Sequence, residues 1–136
     1  MDNKELIEKY PFLQVRNAWS GEIIENTTWY DQIPEGWRKN FGLQMIEEIS
    51  QILKKANFEN DYQIVQIKEK YAELRWYDNG APEEIYQEIQ NCINKYMKIS
   101  EETCIFCGEK ADGFTYGWIL PICNQCSIEK NFEIRN

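Results

Sequence analysis

Hydrophobic positions become periodic between Trp37 and about Ala56. There Ile46, Ile49, Leu53 and Ala56 recur at three- and four-residue steps, with Glu47, Glu48, Lys54 and Lys55 elsewhere. One apolar stripe and one charged face predict an amphipathic helix. A second such stripe, Ile85, Ile89, Cys92, Ile93 and Tyr96, predicts another helix. Pro82 suits its first position, and it ends near Ser100. Residues 2–10 read as a short helix, because Asp2 and Glu5 have capping-box spacing and Pro11 stops the pattern.

Between the two long helices the period changes. Over 62–78, Ile64, Gln66, Lys68 and Lys70 alternate with Val65, Ile67, Glu69 and Tyr71, and Leu74-Arg75-Trp76-Tyr77 follows. This predicts a β-hairpin turning near Tyr71-Ala72-Glu73. A helix through Lys68–Trp76 competes, since Glu, Lys, Ala and Leu all favour it. Residues 11–36 show neither period. They read as a long packed loop with one short strand near Glu22–Ile24, closed by the Pro34-Glu35-Gly36 turn. Trp29 and Tyr30 then fall on a polar loop, where exposed rings would suit a partner contact.

The pattern therefore predicts an α+β fold. Two main amphipathic helices lie on a small antiparallel β-hairpin or sheet over 1–100, and a zinc ribbon follows over 101–136. A length of 136 residues with 43% hydrophobic and 14% aromatic content supports one packed domain with a small appendage. No apolar run approaches a membrane span, and no basic-then-apolar leader opens the chain, so a cytoplasmic setting with reduced cysteines is expected. The chain has no histidine, which removes Ser-His and Cys-His catalysis.

Cys104-Ile105-Phe106-Cys107-Gly108 and Cys123-Asn124-Gln125-Cys126 are two C-x₂-C pairs with fifteen residues between Cys107 and Cys123. Two thiolates three residues apart in a tight turn can face one ion, and Gly108 lets the chain turn without a Cβ clash. Two such knuckles supply the four tetrahedral ligands that Zn²⁺ takes. Cys104, Cys107, Cys123 and Cys126 are therefore the expected metal ligands, and the closed shell makes the zinc structural. Two disulfides, a redox C-x-x-C or an iron–sulfur cluster are the alternatives. Cys92 lies on the apolar face of its helix and reads as a buried, inert thiol.

Charge narrows the partners. The formal net charge is −8, and residues 101–136 carry six acids against three bases. A phosphate backbone repels such a chain, so general nucleic-acid binding is disfavoured. Against this background Lys68, Lys70 and Arg75 stand beside Tyr71, Trp76 and Tyr77, with Arg16 available from a neighbouring loop. A basic spot next to aromatic rings can hold an anion and stack a base. The competing reading is a solvated strand face paired with Glu69 and Glu73. Glu47 and Glu48 point differently on their helix and read as solvated surface. No nucleotide-loop, nucleophile-elbow or zinc-protease motif is present.

With these pieces in place, the chain resembles a group of small uncharacterised proteins of tailed bacteriophages and bacterial genomes. The resemblance is carried by Tyr10-Pro11-Phe12-Leu13, Gly36-Trp37, Gln66-Ile67-Lys68-Glu69-Lys70-Tyr71, Leu74-Arg75-Trp76-Tyr77 and the four cysteines with Trp118. Ala72 departs from it, standing where such proteins commonly carry glycine. The resemblance implies phage or prophage origin, a zinc-knuckle tail and work inside the bacterial host cell. It implies no activity. Three functions follow as expectations. The first is a non-enzymatic accessory binding protein, in its narrowest form a counter-defence protein that sequesters a nucleotide-like host signal. The second is an adaptor docking on a host or phage protein. The third is a carboxylate-dependent hydrolase, disfavoured by the absent histidine and the closed metal shell. A homodimer is compatible with a small domain of this apolar content.

Overall fold

The computed structural model describes residues 1–135; position 136 lies outside the described residues. The fold is α+β, as the pattern predicts. Helix α1 (Asn3–Lys9) starts where Asp2 Oδ1 accepts from the Glu5 backbone N–H at 2.8 Å. The segment read as an irregular loop contains more structure than expected. Strands β1 (Gln14–Arg16) and β2 (Ile23–Thr28) pair antiparallel. The intervening turn is held by Asn17, whose Oδ1 accepts from Trp19 N and Ser20 N. A one-turn helix α2 (Trp29–Gln32) follows, closed by a capping box between Thr28 and Asp31. Trp29 and Tyr30 therefore do not sit on a polar loop: they open this helix and pack half-buried against the core. Such short elements leave no periodic trace, because their rings are buried by distant residues.

A helical stretch then runs through α3 (Glu35–Trp37), a π-helical turn (Arg38–Gly42) and α4 (Leu43–Lys55). Helix α5 (Glu83–Glu101) lies against α4. Ile46, Ile49 and Leu53 from α4 meet Ile85, Ile89, Ile93 and Tyr96 from α5 in one buried cluster. Each such aliphatic side chain contributes about 1.5–3 kcal/mol on full burial, so these stripes hold the fold together.

Residues 68–76 form a hairpin and not the competing helix. Strands β3 (Ile64–Lys70) and β4 (Glu73–Asp78) pair antiparallel around Tyr71 and Ala72. Both turn residues have positive φ, 52° and 69°, the type I′ sign pattern whose twist matches the strands. Neither is glycine, so the turn carries backbone strain. Glu69 Oε2 accepts from Ala72 N at 2.9 Å and helps to hold it. Simple alternation would put Ile64 and Ile67 on opposite faces. A β-bulge between Ile64 and Gln66 brings both inward and leaves Val65 outside. On β4, Leu74 and Trp76 face the core. The Leu74 N–H at the outer edge of β4 donates to Ser100 Oγ at 2.8 Å, so α5 covers that edge.

The C-terminal segment is a small three-stranded sheet in the order β6 (Pro121–Ile122), β5 (Gly113–Thr115), β7 (Ile134–Arg135), with α6 (Asn124–Lys130) beside it. It is joined to the main body: Ile105 is part of the principal core cluster, and α5 itself runs to Glu101.

Candidate metal centre and binding clefts

The first cysteine knuckle is closed by Gly108 N donating to Cys104 O at 3.0 Å, with Gly108 at φ 85°. The second opens α6, where Cys123 Sγ accepts from Cys126 N. The ribbon brings the two together. All four Sγ atoms lie within 4.8 Å of one another, and those of Cys107 and Cys123 are 3.6 Å apart. A tetrahedral ion with metal–sulfur bonds of about 2.3 Å has sulfur–sulfur edges of about 3.8 Å. The donor set therefore fits one thiophilic metal ion with no ligand position left over. No disulfide joins these cysteines among the described residues.

The four sulfurs are electrostatically unequal. Burial pushes the Cys104 thiol up, but backbone N–H groups of Cys123, Cys107 and Phe106 outweigh it and hold the thiol below its ordinary value. Burial first, and then the neighbouring sulfurs, push Cys107 and Cys126 up. Cys107 and Cys126 thus favour their protons when no cation is present, and a bound cation would displace them.

The knuckle is docked on α3 through backbone. Gly36 N donates to Ile105 O at 2.8 Å, and Trp37 Nε1 donates to Thr103 O at 2.9 Å. Asn40 Nδ2 donates to Gly108 O at 2.7 Å. A Cβ on Gly36 would lie 2.2 Å from Cys104 O, so only glycine permits this approach. Pro34-Glu35-Gly36 reads as a turn in the sequence, and nothing local to it encodes the contact with Cys104 and Ile105.

The residues expected to form one ligand site are divided. Lys68, Lys70, Arg75 and Tyr77 share the outer face of the β3–β4 hairpin, with Lys68 opposite Arg75. Arg75 is engaged by Glu73 at 2.5 Å. Trp76 faces the other way: it is 5% exposed, and its Nε1 donates to Tyr62 Oη at 3.0 Å within the core. It is a core residue and is not available to stack on a ligand. Arg16 lies beyond the opposite end of β3, in a separate groove.

A cleft of about 380 Å³ does form at the hairpin tip, between Lys68–Tyr71 and Gly117–Ile119 of the ribbon. Tyr71 and Trp118, 77% and 74% exposed, line it with the two lysines. Neither lysine has a carboxylate within 4.0 Å among the described residues. The one acid in the cleft, Glu69, is occupied: its Oε1 accepts from Trp118 Nε1 at 2.6 Å and its Oε2 from Ala72 N. In the sequence Trp118 stands out only beside the four cysteines, and nothing local to it marks the cleft. The signal for it is a large ring beside the left-handed Gly117 of a Tyr-Gly-Trp turn, and the ring is exposed.

The remaining chemical groups are tied up locally. Cys92 is pushed up to about 12, by burial first and then by the Glu48 carboxylate, in keeping with an inert thiol. Glu48 bonds Lys95 at 2.7 Å, and Glu47 accepts from Tyr10 Oη at 2.8 Å.

Compared with family models, curated proteins and solved structures, the chain matches none. No helix among the described residues is long and apolar enough to cross a membrane.

Proposed function

We propose that this chain is a non-enzymatic accessory binding protein of phage origin, acting in the cytoplasm of the bacterial host. In this reading its ribbon is built on a structural Zn²⁺, and its hairpin-tip cleft sequesters a nucleotide-like host signal. The C-x₂-C-x₁₅-C-x₂-C spacing and closed thiolate shell support zinc. One observation carries the ligand reading. In a chain of net charge −8, Lys68 and Lys70 stand without carboxylate partners among the described residues, beside two exposed rings. Ammonium groups attract phosphate, and exposed rings offer stacking faces for a base.

The test uses the full chain purified without chelator. Native mass spectrometry reads one zinc per chain and any retained ligand, and calorimetry with a panel of mono- and dinucleotides reads affinity. Each charge-assisted contact contributes about 1.5–3 kcal/mol. Lys68→Ala and Lys70→Ala should therefore each weaken binding about ten- to hundredfold, without changing the melting temperature. Trp118→Ala should cost a comparable amount. Binding that survives the double lysine variant removes the site. Conversion of the nucleotide would instead favour the hydrolase reading.

The adaptor reading is favoured by a different observation: Trp19, at the β1–β2 turn, is 98% exposed. A ring held fully in water suits a protein contact. A stoichiometric protein partner released by Trp19→Ala would support it.

A further inference from the structure

A groove of about 450 Å³ lies at the far end of β3 from the hairpin-tip cleft. One strand irregularity opens on it. The bulge in β3 leaves Val65 46% exposed and lining the groove. Gln14 and Arg16, two residues apart on β1 and so on one face of that strand, stand in the same wall. Bulges of this kind re-aim side chains beside binding sites. Phe12 and Tyr62, buried and packed edge-to-face at 5.8 Å, contribute to an apolar floor.

The polar lining is selective. Thirteen residues line the groove and none is Asp or Glu, although acids make up 23 of the 136 residues in the chain. Arg16 is the one charged side chain there. It donates Nη1 to Gly21 O at 3.0 Å and has no carboxylate within 4.0 Å among the described residues, so most of its donor fork is free. Amides stand around it. Gln14 and Asn60 make no side-chain hydrogen bond within the described residues, while Asn79 donates to Gln63 Oε1 at 2.9 Å. A single planar cation, unpaired amides and an apolar floor make a small-molecule site.

We propose that this groove binds a small polar molecule with one anionic group. The carboxylate or phosphate seats on Arg16, and hydroxyl or carbonyl groups of its body reach the amides. The site is independent of the hairpin-tip cleft, whose lysines lie at the opposite end of β3.

The test is a side-chain amide NMR titration of the zinc-loaded full chain. Glucuronate and glucose 6-phosphate are the anionic probes and glucose is the neutral one. The amides of Gln14, Asn60, Gln63 and Asn79 should shift with an anionic probe and not with glucose. A response to glucuronate alone identifies a carboxylate ligand, and a response to glucose 6-phosphate alone a phosphate ligand. Arg16→Gln should weaken binding at least about tenfold, the scale of one charge-assisted contact. Val65→Glu, which puts a carboxylate into the groove from an exposed position, should do the same without touching the β1–β2 turn. Lys68→Ala with Lys70→Ala should leave the titration unchanged. Equal response to glucose, no response at millimolar probe, or binding that survives both Arg16→Gln and Val65→Glu overturns the proposal.

Discussion

Gly36→Ala gives the sharpest test of how the cysteine segment is attached, because local and tertiary reasoning disagree on its sign. Position 36 lies in helix α3 with ordinary helical backbone. Propensity therefore favours alanine by about 0.5–1 kcal/mol. The tertiary contact opposes it. The new Cβ would lie 2.2 Å from Cys104 O and 2.6 Å from the carbonyl carbon and oxygen of Ile105, all of them backbone atoms. Ordinary contact needs the knuckle to retreat by roughly 1 Å, and a closely packed interior resists that. Overpacking costs about 1–3 kcal/mol. The Gly36 N–Ile105 O and Trp37 Nε1–Thr103 O bonds are disturbed together, and a buried polar group left unsatisfied costs about 1–3 kcal/mol. After the propensity gain, the expected net loss is about 3 kcal/mol.

For a chain of this length that corresponds to a fall in melting temperature of about 10 °C. The assay is thermal and urea unfolding of the metal-loaded protein, paired with metal release to a chromogenic chelator. Metal should be released faster from the variant, since Cys104 must move. Gly117→Ala is the control. It has φ 73° and open space around it, so it should cost only the left-handed backbone term of about 1–2 kcal/mol. A Gly36→Ala protein as stable as the parent, with unchanged metal release, would refute the docked arrangement of the knuckle on α3.

Three further outcomes follow from the same structure. Ala72→Gly should stabilise the fold by about 1 kcal/mol, read as a higher urea midpoint, because glycine relieves the left-handed backbone at φ 69°. Ser100→Ala should destabilise by about 1–3 kcal/mol in the same assay, and should speed exchange of the Leu74 amide by NMR, because that buried donor loses its acceptor. The third concerns acid. Burial pushes the Glu48 carboxyl up, but the Lys95 ammonium bonded to it at 2.7 Å, with the Tyr96 hydroxyl nearby, outweighs this and holds it below the ordinary glutamate value of 4.5. A lowered acid stabilises the fold above that value and loses the contribution as pH falls through the lowered one. Melting temperature against pH should therefore decline less steeply below about 4.5 in Glu48→Gln than in the parent.

Chain-local physics determined a definite part of this protein. Three- and four-residue spacing placed both long helices, because a 3.6-residue repeat must gather Ile46, Ile49 and Leu53 on one face whatever they meet. Cysteine spacing picked out the four sulfurs that converge on one small volume, because two knuckles can present four sulfurs to a single point only if each pair lies within a tight turn. Alternation over 64–78 was enough to propose the hairpin. It was not enough to exclude a helix, since Lys68–Trp76 has helix-forming residues. Tertiary structure decided the rest. One extra residue at Val65 changes which side chains face the core, and with them which groove receives an exposed valine. Trp76 entered the core because Tyr62, fourteen residues earlier, presents an oxygen to its N–H. Arg16 separated from Lys68 and Lys70 because they lie at opposite ends of one strand. The hairpin-tip cleft exists only because the ribbon carries Trp118 to Glu69, forty-nine residues away. Contacts at that separation depend on strand register and on where the metal centre is docked, and no local periodicity encodes either.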